Sequence, residues 1–322
     1  MELGYALSSE EHRPLDLIRN AASAEEAGFG FALVSDHFHP WTDTQGQSPF
    51  VWGVLGGVAL ATERLVLGTG VTCPTRRMHP AIVAHAAATA AAMLPGRFFL
   101  GVGTGENLNE HVLGQRWPAA AVRREMLEEA VEVMRTLWRG ELTSHRGRHF
   151  TVENARIYTL PAEPIAVMVA AGGPASAELA GRIGDGLIGT APDAELVEAF
   201  ADAGGADRPR YAQLTVCWAD REEDARRTAH ERWPNAALKG PLGQELPLPS
   251  HFEAAAAMVT EEDVAQAVVC GPDPELHAKH IDEFADAGFT HVYLHQVGDD
   301  QQGFLRFCSR EILPRYQPVA AR

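Results

Sequence analysis

The chain has 322 residues, 46% hydrophobic, 22% charged and 7% aromatic, the balance of a folded globular protein and not of a disordered or collagen-like one. Its 43 acidic and 27 basic residues give a formal charge of −16, which repels a phosphate backbone and sets aside nucleic acid or an anionic membrane as the main partner. No apolar run approaches the roughly 20 residues that span a bilayer. The first apolar run leads into Glu10, Glu11 and Arg13 and not into a signal segment, so a cytoplasmic protein is expected.

Short β-like runs alternate with amphipathic helical stretches. In order they are strand 3–7 and helix 14–27; strand 31–35; strand 65–70 and helix 80–94; strand 98–103 and helix 119–138; strand 165–170 and a helix from Pro174; strand 187–190 and a helix from Asp193; strand 211–218; and strand 292–296 before a last helix ending near Pro314. Eight such strands can close as a barrel or lie in an open doubly wound sheet. The strand tips carry Ser35-Asp36-His37, Gly70-Val71, Gly103-Thr104-Gly105-Glu106 and Ala171-Gly172-Gly173, and only a barrel gathers them on one C-terminal face. The expected fold is α/β, a (β/α)8 TIM barrel in one domain over residues 1–322, with insertions at about 140–164 and 233–258.

The four cysteines, Cys73, Cys217, Cys270 and Cys308, stand singly, without the spacing of a zinc site or the density of a disulfide scaffold. Lys239 and Lys279 are the only lysines, and their polar surroundings argue against Schiff-base chemistry.

Four motifs carry chemistry. Ser35-Asp36-His37-Phe38-His39-Pro40-Trp41 crowds two imidazoles and a carboxylate at one strand tip, suited to taking a proton from a hydroxyl; His37 and His39 as a metal-ligand pair is the alternative. Gly101-Val102-Gly103-Thr104-Gly105-Glu106 lets backbone approach a ligand and sets a carboxylate beyond it,. Ala170-Ala171-Gly172-Gly173-Pro174 opens a helix whose free N–H groups suit a phosphate,. Thr69-Gly70-Val71-Thr72-Cys73-Pro74-Thr75-Arg76-Arg77 ends in two arginines that suit an anion,.

Taken together, these motifs strongly resemble the luciferase-like monooxygenase superfamily, in particular its deazaflavin-dependent branch, which uses coenzyme F420 and includes sugar-phosphate dehydrogenases. The resemblance covers nearly the whole chain. It implies a luciferase-like barrel, a homodimer, and coenzyme F420 at the C-terminal face. Carried over residue by residue, it implies His37, Glu106 and Trp41 as catalytic and Asp36, Gly70, Val71, Cys73, Thr104, Gly105, Asn109, Gly172, Gly173, Ala175 and Ser176 as cofactor-binding, with a cis peptide at Gly70-Val71 and no metal. Arg76 and Arg77 are candidates for the cofactor's acidic groups. At the positions of the sugar-phosphate enzymes' phosphate clamp this chain has Asp193, the neighbourhood of Glu245, and Gln266 or Ala267, so the clamp is missing unless Arg208, Arg210 or Lys239 supplies a different one; the histidine adjoining one clamp lysine is likewise unmatched unless His251 takes its place. The implied function is hydride exchange between coenzyme F420 and a small organic substrate, an alcohol or carbonyl compound and not a sugar phosphate. An FMN-dependent monooxygenase of the same superfamily and a metal-dependent barrel hydrolase are the alternatives.

Overall fold

The computed structural model describes residues 1–316. Its strands are β1 (Glu2–Leu7), β2 (Phe31–Val34), β3 (Val66–Thr69), β4 (Phe98–Val102), β5 (Thr143–Arg146), β6 (Thr151–Ala155), β7 (Ala166–Ala170), β8 (Gly186–Gly189), β9 (Arg210–Cys217), β10 (Val269–Cys270) and β11 (His291–Gln296). Eight of them, β1-β2-β3-β4-β7-β8-β9-β11, pair in parallel, and β11 pairs back to β1, closing the barrel. All eight expected strands are these eight. The short β10 extends the sheet beside the upper end of β9, and β5 and β6 form a separate antiparallel hairpin inside the first insertion.

Alternation along each strand divides the apolar residues into two cores. Phe31 and Leu33, Phe99, Met168, Ile188, Tyr211 and Tyr293 fill the barrel. Leu67, Leu100, Val167, Leu187 and Leu294 point outward under the helices. Low in the barrel, Tyr211 meets Phe31 edge-on at 5.2 Å and stacks on His291 at 4.2 Å. This aromatic plug closes the N-terminal end, so the free volume lies at the other.

The covering helices include α1 (Pro14–Ala27), α2 (Val51–Ala61), α3 (Pro80–Met93), α4 (Asn107–Glu110), α5 (Ala120–Leu137), α6 (Pro174–Ile183) and α7 (Ala194–Phe200). Pro14, Pro80 and Pro174 each occupy the first turn of a helix, where the missing N–H costs nothing. Beyond the sequence reading, the structure adds α2, α8 (Glu222–Arg232) and α11 (Pro274–Asp286), while the second insertion folds as short helices α9 (Leu242–Glu245) and α10 (Pro249–Ala256). Helix α2, Val-Trp-Gly-Val-Leu-Gly-Gly-Val-Ala-Leu-Ala, is apolar on every side, so no periodic stripe announces it. No helix among the described residues is long and apolar enough to cross a membrane.

Candidate active site

A cavity of about 360 Å³ lies at the C-terminal ends of the barrel strands. Its two sides differ chemically. Beyond β3, β4 and β7 the wall is largely backbone: Gly70, Val71, Gly103, Gly105, Ala171 and Gly172. Opposite, β1, β2, β9 and β11 present Ser8, Glu10, Ser35, His37, Gln213 and His295, with Trp41 and Trp233 beside them.

Two positions of the backbone wall exclude a side chain. A Cβ on Gly103 would stand 2.7 Å from Val71 Cγ2; Gly105 has φ +77°, and its Cβ would stand 2.7 Å from Cys73 Sγ, so both positions require glycine. The Gly70-Val71 peptide is cis, as the sequence resemblance implies. Where the wall meets α6, a Cβ on Gly172 or Gly173 would face open space. Gly172 and Ser176 line the cavity, which brings the positive end of this ten-residue helix to it,.

On the polar side, His37 Nδ1 lies 3.1 Å from the His39 carbonyl oxygen, which makes Nδ1 the N–H donor and turns Nε2 toward Glu10 Oε1, 3.4 Å away. The Trp41 ring packs edge-on against the imidazole at 4.9 Å. Glu10 Oε2 accepts hydrogen bonds from Ser35 Oγ at 2.7 Å and Ser8 Oγ at 3.0 Å. Burial alone would push the Glu10 carboxyl up, but the neighbouring His37 charge and the Ser35 hydroxyl outweigh it and hold it below the usual carboxylate range,. A proton reaching His37 Nε2 therefore meets a buried carboxylate.

Glu106, the residue before α4, lines the same cavity. Asn109 ties it to the histidine loop: its Oδ1 accepts the N–H groups of Phe38 and His39 at 2.9 and 3.2 Å, and its Nδ2 donates to Glu106 Oε2 at 3.5 Å. His39 turns away from His37, with Nδ1 2.9 Å from the Leu108 carbonyl oxygen and its ring stacked on His111. Among the described residues no three His, Cys, Asp or Glu side chains gather as metal ligands.

Of the implied site residues, His37, Trp41, Gly70, Val71, Thr104, Gly105, Glu106, Gly172 and Ser176 meet around the cavity; Asp36, Cys73, Asn109, Gly173 and Ala175 do not line it. Asp36 is buried, accepting from Thr72 Oγ1 at 2.7 Å and from Arg77 Nη2 at 2.8 Å. Arg77 is therefore no free anion ligand; its Nε also lies 3.6 Å from Glu110. Arg76 donates to Gln115. Buried Cys73 contacts Thr75 Oγ1 at 3.1 Å, and burial pushes its thiol well up, far from a reactive thiolate,.

No lysine or arginine is among the residues that line the cavity. Asp193 caps α7, Glu245 pairs with Arg123, and His251, Gln266 and Ala267 are exposed. Arg208 and Arg210 bond backbone carbonyls of residues 181, 184, 206 and 288. The proposed replacements for a phosphate clamp are thus spent elsewhere or stand off the cavity.

Sequence reasoning missed Glu10, Gln213, Trp233 and His295. The signals were present: Glu10 follows Ser8-Ser9 just past the first strand, and His295 continues the inward alternation of Tyr293,.

The sequence profile of the luciferase-like monooxygenases matches residues 1–291, and the chain belongs to this family. It is 37% identical to the F420-dependent glucose-6-phosphate dehydrogenase of Segniliparus rotundus, with 99% of each chain covered. To the protein of the same name from Nakamurella multipartita it is 36% identical, covering 100% of this chain and 98% of the relative. Among solved structures it superposes on an F420-dependent secondary alcohol dehydrogenase in complex with an F420-acetone adduct, with a TM-score of 0.92, 29% identity, and 98% and 99% of the two chains covered.

Proposed function

We propose that this chain is a coenzyme F420-dependent oxidoreductase that exchanges a hydride with a small neutral alcohol or the corresponding carbonyl compound. The observation that carries the reading is the two-sided cavity, a glycine wall facing an imidazole backed by a carboxylate. The wall fits a flat ring system, because side chains at Gly103 and Gly105 are barred, and the N-terminus of α6 fits an anionic group.

Gly70, Val71, Thr104 and Gly105 would hold the ring, and Gly172, Gly173, Ala175 and Ser176 the phosphate. Asp36, Cys73 and Asn109 would serve from behind: Asp36 through Thr72, Cys73 under Gly105, and Asn109 through Glu106. When bound, the deazaflavin supplies the hydride chemistry. The protein's own part is proton handling. His37 Nε2 takes the substrate hydroxyl proton, Glu10 stabilises the cation that results, and the Glu106 carboxyl holds a proton for the opposite wall. Trp41 and Trp233 narrow the substrate side. The Glu10 carboxylate on the cavity surface, with no lysine or arginine among the residues that line it, favours a neutral substrate over a phosphate ester.

The protein acts as a homodimer through α2 and α3, whose outer residues Leu60, Ile82 and Met93 are large, apolar and exposed,. A charge at Leu60 converts it to monomers in a solution mass measurement. The defining experiment is titration of the purified chain with coenzyme F420 and with FMN, then a panel of alcohols and carbonyl compounds followed by deazaflavin absorbance. Tight FMN binding with none of the deazaflavin rejects the reading.

A further inference from the structure

Three buried polar groups beneath the cavity have no part in the reaction as drawn. The His295 side chain is 4% exposed, forms part of the cavity wall, and neither ring nitrogen has a hydrogen-bond partner. Its Nε2 lies 3.8 Å from Oε2 of Glu11, a side chain only 2% exposed whose Oε2 is also without a partner; the other Glu11 oxygen accepts the Gly298 N–H at 3.1 Å. His12 follows, buried, its Nε2 again unpartnered. Polar atoms left unpaired inside a protein are costly, and the ordinary resolution is bound water.

The position of this group matters. Glu10 and His295 line the inner cavity, whereas Glu11 and His12 line a second, outer cavity with Asp16 and Asp299. Consecutive residues of one strand tip thus face the reaction on one side and an acidic surface pocket on the other.

Proton balance supplies a use. Oxidising an alcohol breaks its O–H and C–H bonds: the hydroxyl proton goes to His37 Nε2, a bound deazaflavin would take the hydride, and Glu106 gives up a proton on its own wall. The proton is gained on one wall and lost on the other, so each turnover leaves His37 charged and Glu106 without its proton. His37 must shed that proton to reset, and its side chain is only 10% exposed. We propose that Glu10, His295, Glu11 and His12, joined by water, carry the proton between His37 and the outer cavity. This rests on the oxidoreductase reading. The electrostatics agree: Glu10 responds to both His37 and His295, and His12, lowered mainly by burial, to Glu11, His295, Asp299 and Asp16.

The test uses Glu11→Gln and His12→Phe in the full chain with coenzyme F420 bound. Steady-state turnover falls by at least about tenfold, less than the roughly 100-fold or more lost with a group that itself takes the substrate proton. The first single-turnover reduction, which needs no reset, keeps its rate, and added imidazole buffer restores the steady state. Unchanged turnover, or a loss that appears equally in the single turnover and ignores buffer, overturns the path. A second readout needs no cofactor. In nitrogen-15 histidine spectra of the free protein, Glu11→Gln lowers the titration midpoint of His12, and an unmoved midpoint overturns the path. His295→Asn replaces either variant if it fails to fold. Active enzyme with an unmoved His12 midpoint rejects the path alone, while a moved midpoint without deazaflavin reduction by any alcohol rejects the activity, and the path with it.

Discussion

Arg77 Nη2 lies 2.8 Å from Asp36 Oδ1, and both side chains are buried. The pair locks the segment after the cis peptide to the segment that carries His37, since Asp36 also accepts from Thr72. Removing the carboxylate leaves a buried guanidinium with Glu110 as its remaining carboxylate partner, at 3.6 Å. Asp36→Ala therefore lowers unfolding free energy by about 3 kcal/mol, read from urea denaturation, and loosens cofactor binding as a consequence. A variant of wild-type stability with weak deazaflavin binding would instead mean direct contact.

His37→Ala and Glu106→Gln separate chemistry from binding. Each reduces the rate of deazaflavin reduction by about 100-fold to 10,000-fold and leaves cofactor affinity largely intact. Losses below about threefold in both would show the proton roles to be misassigned. Glu10→Gln keeps the hydrogen bonds from Ser8 and Ser35 but removes the charge opposite Nε2; it slows reduction, though less than His37→Ala.

The barrel was legible because period-two strands and polar strand tips recur in register with helices, and the glycine wall was legible because glycine spacing is local. Pairings across the barrel were not. That Arg77 is consumed by Asp36, 41 positions away, or that Asn109 joins Glu106 to the backbone of Phe38 and His39, depends on which loops meet once the sheet closes. Glu10 was hidden by its surroundings, because an acidic residue after a strand reads as solvated surface until Ser8, Ser35 and His37 are seen around it.

Glucose 6-phosphate is a poor substrate. A phosphate dianion needs charge-assisted donors, and the cavity offers the Glu10 carboxylate without a lysine or arginine. Comparison of kcat/KM for glucose 6-phosphate with that for neutral secondary alcohols checks this. A strong preference for the phosphorylated sugar, lost on mutating Lys239 or Arg123, would mean that the second insertion rearranges to bring a cation inward.

Glu110 sets a stability slope of opposite sign to that of Glu10. Burial pushes its carboxyl up to about 7 from an ordinary 4.5, against the pull of Arg77. Between those values the folded chain holds a proton that the unfolded chain has released. The stability tied to this proton is thus complete below about pH 4.5 and is lost as pH rises through about 7,. Glu10, held low, behaves the other way: its contribution is present above the ordinary 4.5 and is lost as acid protonates it,. Glu110→Gln keeps the shape of the side chain but cannot ionise, so the difference in Tm between variant and wild type moves in the variant's favour from pH 5 to pH 8. Calorimetry of both proteins across that range reads it, and parallel Tm curves would mean that Arg77 keeps Glu110 ionised throughout.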